Sequence, residues 1–290
     1  MSRSRDIYKI SAIISMALFL IGAALMLLNI AGLFLSLRHP GIYSEDGVLF
    51  KEDISLSFEQ AVKDAARRPG ETDDAYARRL TRVVNMGVAH YWSEEGADRY
   101  RLRVPARENW LLYLKSFTEP EHYSKYEFVD PERALERGVG HCSQQAMILC
   151  RLLLDNGINA KIIVLGGHVV VGARTGPGKW IVADPDYGVV VPRDIMEIMS
   201  DPELVRPFYR DVESKYLDPR RKDLLSADRI VEIYGPEGNV ILDDFINFMG
   251  PDRYYFELYS YAAIWIIPLL LLLPGAVTVL KVLKVKKDGP

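Results

Sequence analysis

The chain contains two cysteines, Cys142 and Cys150, and the first is placed where a thiol becomes a nucleophile. Cys142 follows Gly138-Val139-Gly140-His141 and opens a stretch, through Asn156, that reads as one helix. At a helix start the first N–H groups lack intrahelical acceptors and the dipole favours negative charge, which shifts a thiol toward thiolate. The two glycines allow a sharp backbone turn into that position. Cys150 falls on a stripe with Ala146, Leu149, Leu153 and Leu154 and reads as a small core residue. Eight residues along one helix separate two cysteines by about 12 Å of rise, whereas a disulfide needs Cα atoms within roughly 7 Å. No bridge is therefore expected, and Cys142 is left as a free thiol.

A thiolate is best activated by an imidazole, and the imidazole by a carboxylate on its other nitrogen. His168 begins the segment HVVVGAR, and Asp184 ends the segment KWIVAD. Thr175–Gly178 joins the two as a hairpin, and its geometry sets His168 opposite residues 184–186. Asp186 shares the parity of Asp184 and competes for the role, unless it is solvent-exposed in the turn after Pro185. Taken singly, a histidine is more often a structural hydrogen-bonding residue, and an Asp-Pro pair is more often a turn. The order of a cysteine at a helix start, a histidine on a strand and an aspartate on the next strand is the specific signal. His141 adjoins the nucleophile and is expected to cap or pack. His39, His90 and His122 are scattered without ligand spacing, so no metal is expected. No phosphate-binding or dinucleotide motif is present, and no cofactor is expected.

The surrounding pattern must position these groups. Helices are expected over Ser57–Ala66, Asp73–Ala89 (capped by Thr72 or Asp73), Glu108–Phe117, and from Asp130 to Arg137 with Pro131 in the first turn. Gly157 ends the Cys142 helix. Strands follow over Ala160–Leu165, His168–Arg174 and Lys179–Asp184, with a fourth at Tyr187–Val191. Helices followed by an antiparallel meander imply an α+β fold, helices packed on an antiparallel sheet. Residues 38–57 read as an irregular lead-in, and 192–257 as mixed short helices with a turn at Pro236-Glu237-Gly238.

The segment GVGHCSQQAMILCRLLLDNGINAKIIVLGGHVVVGARTGPGKWIVADP, Gly138 to Pro185, resembles the core of the transglutaminase-like superfamily. The features that carry it are Gly140, Cys142, Leu152 to Leu154, Gly157-Ile158-Asn159-Ala160, His168, and Trp180 to Pro185. The likeness covers roughly 108–192 and is strong over 138–187. It implies a papain-like triad of Cys142 as nucleophile, His168 as base and Asp184 as orienter. The family acts on amide or peptide carbonyls through a thioester, and the substrate would be a peptide or protein with a reactive amide. The oxyanion would be held by the Cys142 N–H and an upstream donor, Trp110 or Asn109. One departure is the aliphatic Val169-Val170-Val171, where many relatives carry an aromatic residue. Two other readings share these residues: a cysteine peptidase with water as acceptor, and a catalytically silent module that binds a peptide or envelope polymer.

Two uncharged apolar runs flank this domain, 10–37 and 258–280, and each is long enough to cross a bilayer. The first is too long for a signal peptide, and Ser36-Leu37-Arg38 is a poor cleavage site. Pro268 and Pro274 lie inside the second, where membrane helices accept proline. Arg3, Arg5 and Lys9 precede the first run; Lys281, Lys284, Lys286 and Lys287 follow the second. The positive-inside rule then makes residues 1–9 and the basic tail 281–290 cytoplasmic, and 38–257 extracytoplasmic. The resemblance is thus to a membrane-anchored prokaryotic-type member. Tyr254, Tyr255, Phe256, Tyr259, Tyr261 and Trp265 form an aromatic belt at the outer end. Of 36 basic and 39 acidic residues, seven and two lie in the spans and tails, which leaves the outer segment 29 basic and 37 acidic, net −8. An acidic domain excludes nucleic acid as the expected partner. Glycine and proline in the spans allow helix pairing without requiring an oligomer.

Overall fold

The computed structural model describes residues 2–43, 54–91, 96–211, 226–235, 237–243 and 245–287, with side chains between 10 and 278. In chain order the elements are α1 (Ser2–Gly32), α2 (Phe58–Ala65), α3 (Asp73–Gly87), β1 (Ala89–His90), α4 (Ala106–Thr118), α5 (Pro120–Tyr123), α6 (Pro131–Arg137), β2 (Val139–Gly140) and α7 (Cys142–Asp155). There follow β3 (Ala160–Leu165), β4 (His168–Gly176), β5 (Lys179–Asp184), β6 (Val189–Val191), α8 (Ile195–Ser200), α9 (Arg206–Tyr209), α10 (Ala227–Ile233), β7 (Val240–Leu242), α11 (Phe245–Met249) and α12 (Pro251–Lys287). The fold is α+β, as the order of elements suggested. The chain divides into two compact units, Met1–Ser36 with Val104–Tyr123 and Tyr255–Pro290, and Leu37–Arg103 with Ser124–Tyr254.

The second unit is built on an antiparallel sheet of order β6-β5-β4-β3-β7. Consecutive residues Val169, Val170 and Val171 are all buried, so β4 is covered on both faces, which explains its unbroken aliphatic run. The helices α7 and α3 pack on β4. Ile163, Val170 and Val182 pack in one cluster with Ile195, Ile198, Val205, Tyr209, Ile230 and Tyr234. The hard-to-read 192–257 stretch thus supplies a second hydrophobic layer. Glu237 and Gly238 form a turn with Gly238 at φ 80°, and Pro236 lies outside the described residues.

Local chemistry explains the helix starts. Ser57 accepts from the Gln60 N–H, and the Gln60 side chain returns the bond to the Ser57 N–H. Thr72 caps α3 and Asp130 caps α6, with Pro131 in the first turn. Gly138 ends α6 at φ 69°, and a Cβ there would meet the Arg38 guanidinium. That guanidinium donates to the carbonyls of Leu56, Gly87, Leu135 and Glu136, which gathers three helix ends. Leu154, expected on the buried stripe of α7, is 39% exposed, because it stands one position beyond the buried row that ends at Leu153.

The first unit holds two helices long and apolar enough to cross a membrane, with windows Ile10–Gly32 and Pro251–Thr278. They are not core helices: Ile13, Leu20, Leu27, Leu270 and Leu273 are each more than half exposed. The first helix ends at Gly32 rather than at the expected residue 37; a side chain at Gly32 would strike the backbone of Arg107. The second begins at Pro251, seven residues before the expected 258, and continues to Lys287. Proline lacks an N–H, so Pro268 leaves the Ile264 carbonyl without its helical donor. The buried Asn29 side chain of α1 fills that gap, its Nδ2 donating to Ile264 O at 2.5 Å. Gly22 lets the two helices approach there, since a Cβ would lie 2.8 Å from Pro268 O. The segment Val104–Tyr123, of which 108–123 was expected within the 108–192 core, clusters instead with these two helices.

Candidate active site

Cys142 is the first residue of α7 and is partly exposed, with a free thiol. The backbone enters through β2, which runs parallel to β1 and pairs His90 with Gly140. Gly140 has no substitute here: a Cβ would lie 2.6 Å from the Gln144 Cβ. Gln144 is itself fixed, accepting from the Phe128 N–H at 2.6 Å and from Arg137 Nη2 at 2.9 Å, and donating to Phe128 O at 2.8 Å. These bonds lock the first turn of α7 to the segment before α6. Cys150 is also free, but it is 1% exposed, and burial pushes its thiol up to about 12. It is inert by comparison.

The β4–β5 hairpin turns at Pro177-Gly178, with Gly178 at φ 65°, and carries a bulge between Arg174 and Gly176. Pairing continues to Val171 with Ala183, which extrapolates to His168 opposite residue 186. The ladder stops before that point, and the ring reaches back diagonally. His168 Nε2 lies 2.8 Å from Asp184 Oδ2. The Cys142 thiol lies near enough to act on the same ring electrostatically. Burial opposes a charged imidazole, but Asp184, by charge and by hydrogen bond, and Cys142 override it and hold His168 well above the ordinary range.

Asp184 is 1% exposed and saturated with donors. Its Oδ2 also accepts from Tyr209 Oη at 2.7 Å, and its Oδ1 accepts from the N–H groups of Asp186 (3.1 Å) and Tyr187 (3.3 Å). Tyr209 bonds in turn to Tyr234 at 2.8 Å. Both phenols are held well above the usual range, by burial first and by the Asp184 charge second. They remain neutral hydrogen-bonding groups.

Asp186 is not in solvent. It is 1% exposed, and its Oδ1 meets His90 Nδ1 at 2.6 Å and accepts from Gln145 Nε2 at 2.9 Å. Burial acts against its charge, and His90 more than offsets this, so its carboxyl sits below the ordinary range. Asp184 and Asp186 therefore divide the work, one on each of two histidines. Gln145 Oε1 is buried without a hydrogen-bond partner. His141 is the N-cap residue but makes no side-chain cap; its ring packs edge-on to Tyr91 at 5.3 Å. Burial, followed by the charges of His90 and Lys125, lowers it to about 4, so it is a neutral packing residue at neutral pH. Ser143 donates to Glu127, whose carboxyl burial pushes up against that bond.

Three expected residues thus come together: Cys142, His168 and Asp184. Asn109 and Trp110 fall in the other unit, where the Asn109 side chain is fully engaged. Asn109 breaks from helical geometry at φ −155°, accepts from the N–H groups of Leu111 and Leu112, and donates to Ser260. It acts as an internal cap. The Trp110 indole N–H is enclosed without a partner. Tyr209, Tyr234, His90 and Gln145 were not foreseen. Only the shared parity of Asp184 and Asp186 hinted at a second carboxylate, and no spacing links it to His90. Among the described residues no cluster of His, Cys, Asp or Glu could hold a metal ion. The chain matches no known family model, no curated protein and no solved structure.

Proposed function

We propose that this chain is a membrane-anchored transglutaminase-like enzyme that breaks amide or peptide bonds through a Cys142 thioester. The observation that carries the reading is the His168 imidazole, bonded to a fully satisfied Asp184 and under the electrostatic influence of a partly exposed thiol at a helix start. The thiolate attacks the carbonyl carbon and forms the C–S bond while the carbonyl π electrons move to oxygen. The Cys142 N–H, free of any intrahelical acceptor, faces the developing oxyanion. Collapse breaks the C–N bond, and the imidazolium proton leaves with the amine. Water or a second amine then attacks the thioester, with His168 taking its proton, and the thiolate is restored. A carboxylic acid or a new amide results.

The two apolar helices anchor the enzyme, with both termini in the cytoplasm and residues 38–257 outside; the flanking lysines and arginines support this orientation. The substrate class is a peptide or protein with an accessible amide. The test is the pH dependence of thiol alkylation in the wild type, Cys142→Ser and His168→Ala. Rapid labelling near neutral pH, abolished in the first variant and slowed in the second, is the expected outcome. Labelling at the rate of an ordinary thiol in all proteins that retain Cys142 would refute the activated pair.

A further inference from the structure

The helix α4 is fastened to the C-terminal end of α1 and the N-terminal part of α12. The Arg107 backbone lies against Gly32. Asn109 Nδ2 donates to Ser260 Oγ at 2.7 Å, and Tyr261 Oη donates to Glu108 Oε1 at 2.9 Å. Beyond this clamp, Trp110, Tyr113, Leu114 and Phe117 recur three, four and seven residues apart, along one face of the helix. Leu114 and Phe117 are 54% and 58% exposed, whereas Leu112 and Ser116 are buried. The polar chemistry is turned away from this face: the Lys115 ammonium pairs with Glu119 and lies over the rings of Tyr123 and Phe256.

The neighbouring helix ends are also apolar and exposed. Leu33 and Phe34 after α1, and Leu258 and Tyr259 on α12, are all more than half exposed. Tyr255 and Tyr259 stack at 6.1 Å beside them. We infer that α4 is a third membrane-contacting element, lying in the interface plane with its Trp110–Phe117 face among the lipid headgroups and upper acyl chains. Amphipathic rings favour that zone, and a short helix with one apolar face lies in it without crossing. The inference rests on the two-span reading. It commits to lipid as the occupant because this exposed apolar face stands on a helix fastened to both membrane-length helices.

The test uses the full chain with Cys142→Ser, in which the buried Cys150 stays unlabelled, reconstituted in phosphatidylcholine–phosphatidylglycerol vesicles. Single cysteines at Leu114, Phe117, Leu20 (span reference) and Lys63 (water reference) carry a nitroxide. Power saturation compares collisions with oxygen and with a water-soluble nickel chelate. An oxygen-to-nickel ratio at 114 and 117 several-fold above that at 63, and below that at 20, is expected. Ratios at 114 and 117 equal to that at 63, with 20 in hydrocarbon, overturn the interfacial helix and leave the spans standing. A ratio at 20 equal to that at 63 overturns the two-span reading and this inference with it.

Discussion

Acidification should weaken the domain through His141. Its imidazole is held at about 4, against an ordinary 6.5. Above 6.5 it is neutral in the folded and unfolded chains alike, and contributes no pH dependence. As the pH falls through that value, the unfolded chain binds a proton that the folded domain refuses until about 4. Stability is therefore lost across this window and levels off below it. At ~1.4 kcal/mol per pH unit, the loss reaches about 3 kcal/mol. With a urea slope of about 2 kcal/mol per molar, the unfolding midpoint falls by roughly 1.5 M between pH about 7.5 and about 4. His141→Asn removes the titrating ring and keeps a residue suited to an N-cap. The assay is urea unfolding of both proteins at the two pH values, in detergent, followed by fluorescence. Glu127 and Asp186 titrate in both proteins, so the difference between the two midpoint shifts isolates His141. A variant whose midpoint falls as far as that of the wild type would refute the reasoning, since its acid loss would then come from other groups.

Tyr209→Phe removes one of four donors from a buried carboxylate; it should cost about 1.5–3 kcal/mol in thermal or urea unfolding. It should also move the His168 limb of the alkylation profile to higher pH, because a less satisfied Asp184 holds the imidazolium more tightly. Gly140→Ala places a methyl 2.6 Å from the Gln144 Cβ, so a destabilisation of roughly 1–3 kcal/mol, with slowed Cys142 labelling, is expected from the same two assays. Asn29→Leu strips the donor from the Ile264 carbonyl and should weaken the α1–α12 pair by about 1 kcal/mol, read as a lowered midpoint of thermal unfolding in detergent.

Much of the core was legible because its signals are local. Thr72, Asp130-Pro131 and Gly157 punctuate helices by cap and turn chemistry, and the aliphatic runs 160–165 and 168–173 identify a covered sheet. The order of Cys142, His168 and Asp184 could be read along the chain because His168 and Asp184 share one hairpin. The hairpin expectation of His168 opposite residues 184–186 holds, since the observed pairing extrapolates to 186, although the bulge near Gly176 leaves no mark in the composition. What stayed hidden depends on distant pairing. His90 and Asp186 stand 96 positions apart, and nothing in either neighbourhood announces the other. The α8–α10 layer is made of helices too short for a periodic pattern, so Tyr209 and Tyr234 could not be connected to Asp184. The stripe on α4 would suit a protein core or a lipid surface equally, so its periodicity could not separate residues 108–123 from the rest of the 108–192 stretch.

The bond from Asn29 to the Ile264 carbonyl joins residues 235 positions apart, at opposite ends of the chain. Within the two-span arrangement this sets an order of assembly. The first helix enters the bilayer early in synthesis with a polar amide that has no partner. The carbonyl that will receive it does not exist until the whole outer domain has been made and exported. Within that arrangement the two helices can pair only after the residues between them have been made. In the two-span reading, a chain truncated before Ile264 would leave the Asn29 amide without that acceptor, the kind of mark by which unfinished membrane proteins can be told from finished ones.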